Sequence, residues 1–358
     1  MPIHENRPVF ACAPSAYGFR SLFDEIFRPE DYKRMYILKG SCGSGKSHII
    51  KKLAAECDER KLQYELFYCS FDPDSCDGII ISNLDTCVVD GTSPHVTEPV
   101  YPGAVEVVVN TSDGLNEDRL PKYRNEIISL CRKKSESFEK SYSFFRAALE
   151  IENNLTDIIT ENFQFGKMFS AIKRFCERNF KKGSGFCREN RLTSVYCKYG
   201  ICKSDAFFSR ASKKCLVADK FGVAHILLNE ILKSAIRFDM PVQVSLSSLD
   251  FKKIDGLYLP GADMAFHVSP ECERRDDWFH VFNMARFVDK NNLRQSKYKI
   301  RFLKKCFAEL TNAASESLGE AYDAHTKLEN IYSRNTDYTK NDLVYDKLRS
   351  AVFDTEKH

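Results

Sequence analysis

One stretch constrains this chain more than any other: RMYILKGSCGSGKSHIIKKLA, residues 34–54. Its apolar run 35–38 predicts a short buried strand. That strand enters Gly40, Ser41, Cys42, Gly43, Ser44, Gly45, Lys46 and Ser47, which fit G-x-x-x-x-G-K-[ST] at every position. Beyond the loop, Ile49, Ile50, Leu53, Ala54 and Cys57 recur at helical spacing. A helix over about 47–60 therefore opens where the loop ends, with His48 in its first turn. Glycines let successive backbone N–H groups turn inward around an anion, where a side chain would block approach. The helix start adds unpaired N–H groups and the positive end of its dipole. Lys46 can reach β- and γ-phosphates, and the Ser47 hydroxyl can ligate Mg²⁺. A Gly-rich turn without a ligand is the plainer reading. Strand, loop and helix nevertheless stand in the order that phosphate binding needs, and the stretch implies a nucleotide site.

Composition bounds the rest. A length of 358 residues suggests about two domains. The 53 basic and 50 acidic residues nearly cancel, so no nucleic-acid signal stands out. The first ten residues lack a basic-then-apolar leader, and no apolar run approaches the ~18 residues of a membrane span. A cytoplasmic protein with no membrane partner is expected. Fourteen cysteines are scattered with no C-x-x-C pair, which reads as free thiols in a reducing compartment. Cys42 stands apart, since Lys46 and a helix N-terminus beside it would favour its thiolate.

After the loop helix, Tyr64–Cys69 reads as a strand, and helix between strands is the crossover unit of a parallel sheet. A turn carrying Asp72, Asp74 and Asp77 follows. Ile79–Ile81 is apolar, Thr86–Asp90 reads as a buried strand ending in an acid, and Val105–Val109 as a further strand. Residues 116–180 carry apolar positions at three- and four-residue spacing among charges, a helical excursion of two or three helices. The polar, Gly-containing segment 181–190 marks a boundary. Two domains result, 1–180 and 181–358.

The second half repeats the first in worn form. A shift of 178 lays Asp72, Asp77, Gly78 and Asp85 on Asp250, Asp255, Gly256 and Asp263. The same shift lays Leu38 on Leu216, and Ile50 and Leu53 on Leu228 and Ile231, without a gap. It also sets Gly40, Gly43, Gly45, Lys46 and Ser47 against Ala218, Phe221, Val223, Ala224 and His225, and Asp90 against Val268. No cradle survives such replacements, so the second half should keep the fold and lack the nucleotide. A helical tail over about 291–353 matches the excursion at 116–180. The expected fold class is α/β: duplicated P-loop NTPase-type parallel-sheet domains, each with a helical extension.

The chain resembles an uncharacterised bacterial family of tandem P-loop ATPase-like proteins. LKGSCGSGKS (38–47), YCSFDPDSCDGIIISNLDTCVVDGTSPHV (68–96) and YPGAV (101–105) carry the resemblance. It implies ATP binding and hydrolysis and names no substrate. Both halves can carry a phosphate loop in that family, and this sequence departs at the second.

Asp90 ends an apolar run where P-loop folds hold Mg²⁺ beside the Ser47 hydroxyl, although an ordinary Asp-Gly turn reads similarly. Many hydrolases place a water-orienting Glu next; Gly91 stands there, which points to slow hydrolysis or a base from elsewhere. Asp72 and Asp77 follow a strand at its C-terminal edge, where ligands of α/β sheets bind, so either could serve as a base for an alcohol or water. Turn capping explains them equally, and better for Asp74. His95 reads as a surface-loop histidine before a γ-phosphate sensor. Trp278, with Phe279 and Phe282, reads as core. Three functions remain open: an ATP- and Mg²⁺-dependent NTPase that moves its second half or a protein partner, a kinase with a small-molecule acceptor, and a nucleotide-binding module without turnover. ATP over GTP rests on the resemblance and on the lack of an N-K-x-D stretch.

Overall fold

The computed structural model describes residues 9–270 and 278–354. The first half opens with β1 (Val9–Phe10), a hairpin of β2 (Cys12–Ser15) and β3 (Gly18–Ser21), and the short α1 (Phe23–Ile26). Next come β4 (Arg34–Lys39), α2 (Lys46–Glu59), β5 (Tyr64–Tyr68), β6 (Cys76–Ile81), β7 (Thr86–Asp90) and β8 (Glu106–Asn110). The helical extension is α3 (Arg124–Thr160) and α4 (Phe165–Asn179). Six strands form one mixed, mostly parallel sheet, ordered β1-β5-β6-β7-β4-β8. Only β6 runs against its neighbours, because a seven-residue turn is too short for the crossover that a parallel neighbour needs.

The second half repeats this order element by element: β9 (Arg188–Arg191), β10 (Ser194–Cys197), β11 (Gly200–Lys203), α5 (Ala206–Arg210), β12 (Lys213–Ala218) and α6 (Ala224–Arg237). There follow β13 (Val242–Leu246), β14 (Ile254–Leu259), β15 (Met264–Ser269), β16 (His280–Asn283), the short α7 (Lys290–Leu293), α8 (Lys297–Ser333) and α9 (Tyr338–Phe353). Its sheet reads β9-β13-β14-β15-β12-β16, the same arrangement with the same antiparallel member. The α/β class and the duplication both stand.

The two copies face each other across a pseudo-twofold. Phe10 N–H donates to the Leu192 carbonyl at 2.9 Å, and Leu192 N–H to the Phe10 carbonyl at 3.0 Å. The 37-residue helices α3 and α8 pack antiparallel along each other. Phe145 and Leu149 meet Ala314 and Leu318, while Leu155 and Ile158 meet Leu303 further along.

Alternation along β4 shows how the layers form. Met35 and Ile37 enter a core that continues into the second half. Tyr36 and Leu38 face α2, whose Ile49, Ile50, Leu53, Ala54 and Cys57 are the residues the sequence periodicity selects.

The terminal helices are exchanged between halves. Leu348 and Val352 of α9 bury themselves in the α2 core of the first half, and Arg349 donates twice to Glu56 on α2 at 2.7 and 3.1 Å. Conversely, Met168 and Ile172 of α4 join Val223, Leu227 and Ile231 of the second half. Sequence periodicity finds both helices and says nothing about which sheet each covers. Phe282 lies in the core as expected, but Phe279 is 45% exposed, because it flanks an edge strand.

The repeat is gapped by one residue. The 178-residue register holds from α2/α6 through β7/β15. However, β4 pairs Arg34 with Thr86, while β12 pairs Lys213 with Met264. Val217, not Leu216, is therefore the counterpart of Leu38. The missing residue falls in the loop between strand and helix: residues 40–45 in the first half, 219–223 in the second.

Candidate nucleotide site

Strand β4 delivers the loop to the C-terminal edge of the sheet, and α2 departs from it. Close approach explains Gly40, where a Cβ would lie 2.1 Å from the Thr111 hydroxyl. Gly45 is the N-cap of α2 with φ +84°, a conformation glycine adopts without strain, and no side chain caps the helix. The backbone N–H groups of Gly43, Gly45, Lys46 and Ser47 donate to no group among the described residues. These are orphan donors of the kind that binds anions.

Lys46, 8% exposed, folds back over the loop, its Nζ donating to the Gly40 and Ser41 carbonyls at 3.1 and 2.9 Å. It stands 3.7 Å from the Asp90 Oδ2. Parallel pairing of β4 with β7 sets Leu38 opposite Asp90, so the acid arrives beside the loop by register. Asp90 Oδ1 accepts from the Thr92 backbone and hydroxyl at 2.9 and 2.5 Å, which makes it a turn cap as well. Ser47 Oγ accepts from the Cys76 N–H at 2.9 Å.

Residues 40–48, Asp72, Asp77, Asp90 and His95 all line one cavity of about 1150 Å³. Asp72 Oδ1 takes the Asp74 N–H at 3.4 Å, and its carbonyl takes the Ser75 N–H at 2.8 Å, both turn-capping bonds. Across the cavity, burial and the nearby Asp72 raise the pKa of Glu329 on α8, with Lys46 opposing. Asp77 accepts from the Cys12 thiol at 3.7 Å, while its other oxygen lies 3.7 Å from His95 Nε2.

Two expectations fail here. His95 is no surface histidine: it is 8% exposed and stacked on Phe23 at 4.4 Å. Burial alone would lower its pKa, but Asp77 and Asp90 raise it above the ordinary value. Cys42 is no favoured thiolate either, since burial pushes it up to about 11 against the pull of Lys134 and Lys46.

About a quarter of the residues lining the cavity come from the second half, and sequence reasoning missed them. His325 and Glu329 of α8 and Tyr338, Asn341, Asp342 and Tyr345 of α9 all belong to the second half. The Tyr338 hydroxyl donates to the Gly43 carbonyl at 2.7 Å, and Asn341 Nδ2 to the Ser44 carbonyl at 2.6 Å. Gly43 sits against α8, where a Cβ would lie 3.0 Å from the Glu329 carbonyl. The only trace in the sequence is the polar, aromatic stripe of α9 at positions 338, 341, 342 and 345.

The second loop fills its own anion site. Asp219 Oδ1 accepts from the Phe221 and Gly222 N–H groups at 2.8 and 3.1 Å, and Oδ2 from the Ala224 N–H at 2.5 Å. A carboxylate thus sits where a phosphate would. Burial raises its pKa and the backbone donors oppose the rise.

Retained acids divide by role. Asp85 and Asp263 both adopt left-handed backbone, φ 47° and 50°, at equivalent turns, which Asp tolerates well. Asp77 and Asp255 each take a hydrogen bond from the first residue of a hairpin strand, Cys12 and Ser194. Asp250 is held by the Tyr17 hydroxyl at 3.1 Å and lies 3.7 Å from Lys253. Its counterpart Asp72 faces the cavity instead, since Tyr199, the equivalent of Tyr17, points to solvent.

Among the described residues, no three His, Cys, Asp or Glu side chains converge on a metal position. A divalent ion here would depend on phosphate oxygens, with Ser47 and Asp90 as protein ligands, the arrangement Mg²⁺ favours. Among those residues, too, no helix is long and apolar enough to cross a membrane. Comparison of the chain with protein-family models, curated proteins and solved structures gives no match.

Proposed function

We propose that the chain is an ATP-binding, Mg²⁺-dependent P-loop NTPase in which only the first half works on nucleotide. One observation carries this reading. Among the described residues, the Gly43 and Gly45 N–H groups are unpaired in a loop that lines the cavity together with Lys46, whereas the same loop in the second half is closed by Asp219. The resemblance to tandem P-loop ATPase-like proteins points the same way and supplies ATP as the nucleotide.

Each residue has a task in this reading. The loop N–H groups and the start of α2 hold the phosphates. Lys46 leaves the Gly40 and Ser41 carbonyls for β- and γ-oxygens. Ser47 and Asp90 hold Mg²⁺, whose charge offsets that developing on the transferred phosphoryl group. With Gly91 in place of a water-orienting Glu, the base comes from the Asp72 and Glu329 side of the cavity. The raised pKa of Glu329 suits a group that takes up a proton. A base placed by a helix of the other half makes hydrolysis slow, and sensitive to how the halves sit.

A second reading, phosphoryl transfer to a small alcohol, is favoured by cavity size. At about 1150 Å³ the cavity exceeds the roughly 300–1,000 Å³ of a single small-ligand site.

Calorimetry with ATP, with and without Mg²⁺, tests binding, and steady-state phosphate release tests turnover. Binding that needs Mg²⁺, with slow phosphate release, is expected. No binding under either condition would sink the proposal. ATP consumption without phosphate release, on addition of a pool of small alcohols, would select the kinase.

A further inference from the structure

The two exchanged helices, α9 and α4, carry equivalent stripes that differ in chemistry. On α9, positions i, i+3, i+4 and i+7 are Tyr338, Asn341, Asp342 and Tyr345, and all four line the cavity. The counterparts on α4 are Phe165, Met168, Phe169 and Ile172, apolar residues of which Met168 and Ile172 are sealed into the core. A helix whose only duty is to cover a sheet needs the α4 composition. The α9 stripe leaves buried polarity in place: Asn341 is 6% exposed, its Oδ1 has no hydrogen-bond partner, and its Nδ2 is spent on the Ser44 carbonyl.

Position favours a nucleotide base as the occupant. The Lys46–Asp90 pair marks the γ-phosphate end of the loop, so the base end must leave the other way, past His48 and the exposed face of α2. There Lys52 lies 4.8 Å from the Tyr345 ring and 3.3 Å from Asp342. Tyr338 lies over the loop itself, its ring 4.0 Å from a Cβ built on Gly45.

We propose that α9, lent by the half whose own loop is closed, is the base-reading element of the nucleotide site. Tyr345 supplies the ring on which the base stacks, Asp342 an acceptor for the amino group of the base, and Tyr338 and Asn341 hold the helix to the loop. This rests on the nucleotide reading of the loop, and the test separates the two. Inorganic tripolyphosphate engages the loop and has no base, whereas ATP has both.

Tyr345→Ala and Asp342→Ala change side chains at the rim and leave Leu348 and Val352 to hold α9 in place. In Tyr345→Ala, ATP should bind about 5- to 150-fold more weakly, the worth of one stacked base, while tripolyphosphate affinity stays native. Asp342→Ala should narrow the preference between ATP and a triphosphate whose base lacks the amino group. If both variants bind ATP and tripolyphosphate like the parent protein, α9 does not read the base. Equal losses for both ligands would also overturn the inference, since the stripe would then serve the phosphates. If the parent protein binds neither ligand, the loop reading fails first and this inference goes with it.

Discussion

The two equivalent loops, residues 40–45 and 219–223, lie on the same scaffold, one residue apart in length, and reach opposite ends. In the first half six residues with three glycines leave the α2 N-terminus without a side-chain cap. In the second, five residues let Asp219 turn back and take three backbone N–H groups. Orphan donors at a helix start must find a partner, and an internal carboxylate supplies one in the second loop while the first leaves its donors open to the cavity. Losing Gly and Lys alone would leave the second loop poorly satisfied. Asp219 supplies the partner that those N–H groups would otherwise lack.

The sharpest way to break this contrast is Lys46→Ala. Nucleotide affinity should fall about 100-fold or more, near 3 kcal/mol, because a charged donor to phosphate is lost. Native affinity by calorimetry would erase the difference between the loops. Next is Asp219→Ala, which strands three inward N–H groups and should cost about 2 kcal/mol in denaturant unfolding. Added sulfate or phosphate should then raise the melting temperature of this variant more than that of the parent protein. Equal stabilisation would mean that Asp219 occupies no anion site.

Titration offers a smaller contrast. His225, at the place of Ser47, is pushed down to about 4 by burial and by Lys253. Its folded value lies below its unfolded one, so its contribution is full above pH 6.5. That contribution fades as pH falls toward 4, by on the order of 2 kcal/mol. His95 runs the other way: its raised value gives stability below pH 6.5 that is lost as pH rises through the folded value. Melting temperature against pH should lose its acid slope in His225→Gln and its alkaline slope in His95→Gln. The smallest effect pairs Asp250→Asn with Asp72→Asn. Weakening the Tyr17 and Lys253 contacts of the first should cost about 1 kcal/mol, and the second should melt like the parent protein. If Asp72→Asn is the less stable of the two, its carboxylate is structural after all.

Much of this molecule is legible in its sequence, and the limits have physical causes. The strand–loop–helix of residues 34–59 is local, written in spacing and glycine, and every cavity-lining residue from Gly40 to His48 could be named from it. The duplication is legible because burial periodicity and turn acids survive drift. Illegible are contacts set by exchange: nothing in the α9 sequence says that Tyr338 and Asn341 reach the Gly43 and Ser44 carbonyls of a loop almost three hundred residues earlier. A loop histidine usually meets water, so the sequence points His95 to the surface, and only the fold shows it under Phe23. The one-residue gap is invisible in the sequence because β4 and β12 are both apolar runs, and hydrophobic pattern alone tolerates a slip.

The exchange of α4 and α9 also bears on how such asymmetry can arise. In an assembly of two identical chains every substitution appears twice, so closing one loop closes both, and making one covering helix polar makes both polar. Here a single covalent strand, running from α4 through residues 180–187 into β9, gives each copy its own sequence. One copy can surrender its site and devote its last helix to the other. Under the proposed function, the pair holds one better-walled site in place of two equal ones, a division of labour open only to halves inherited together.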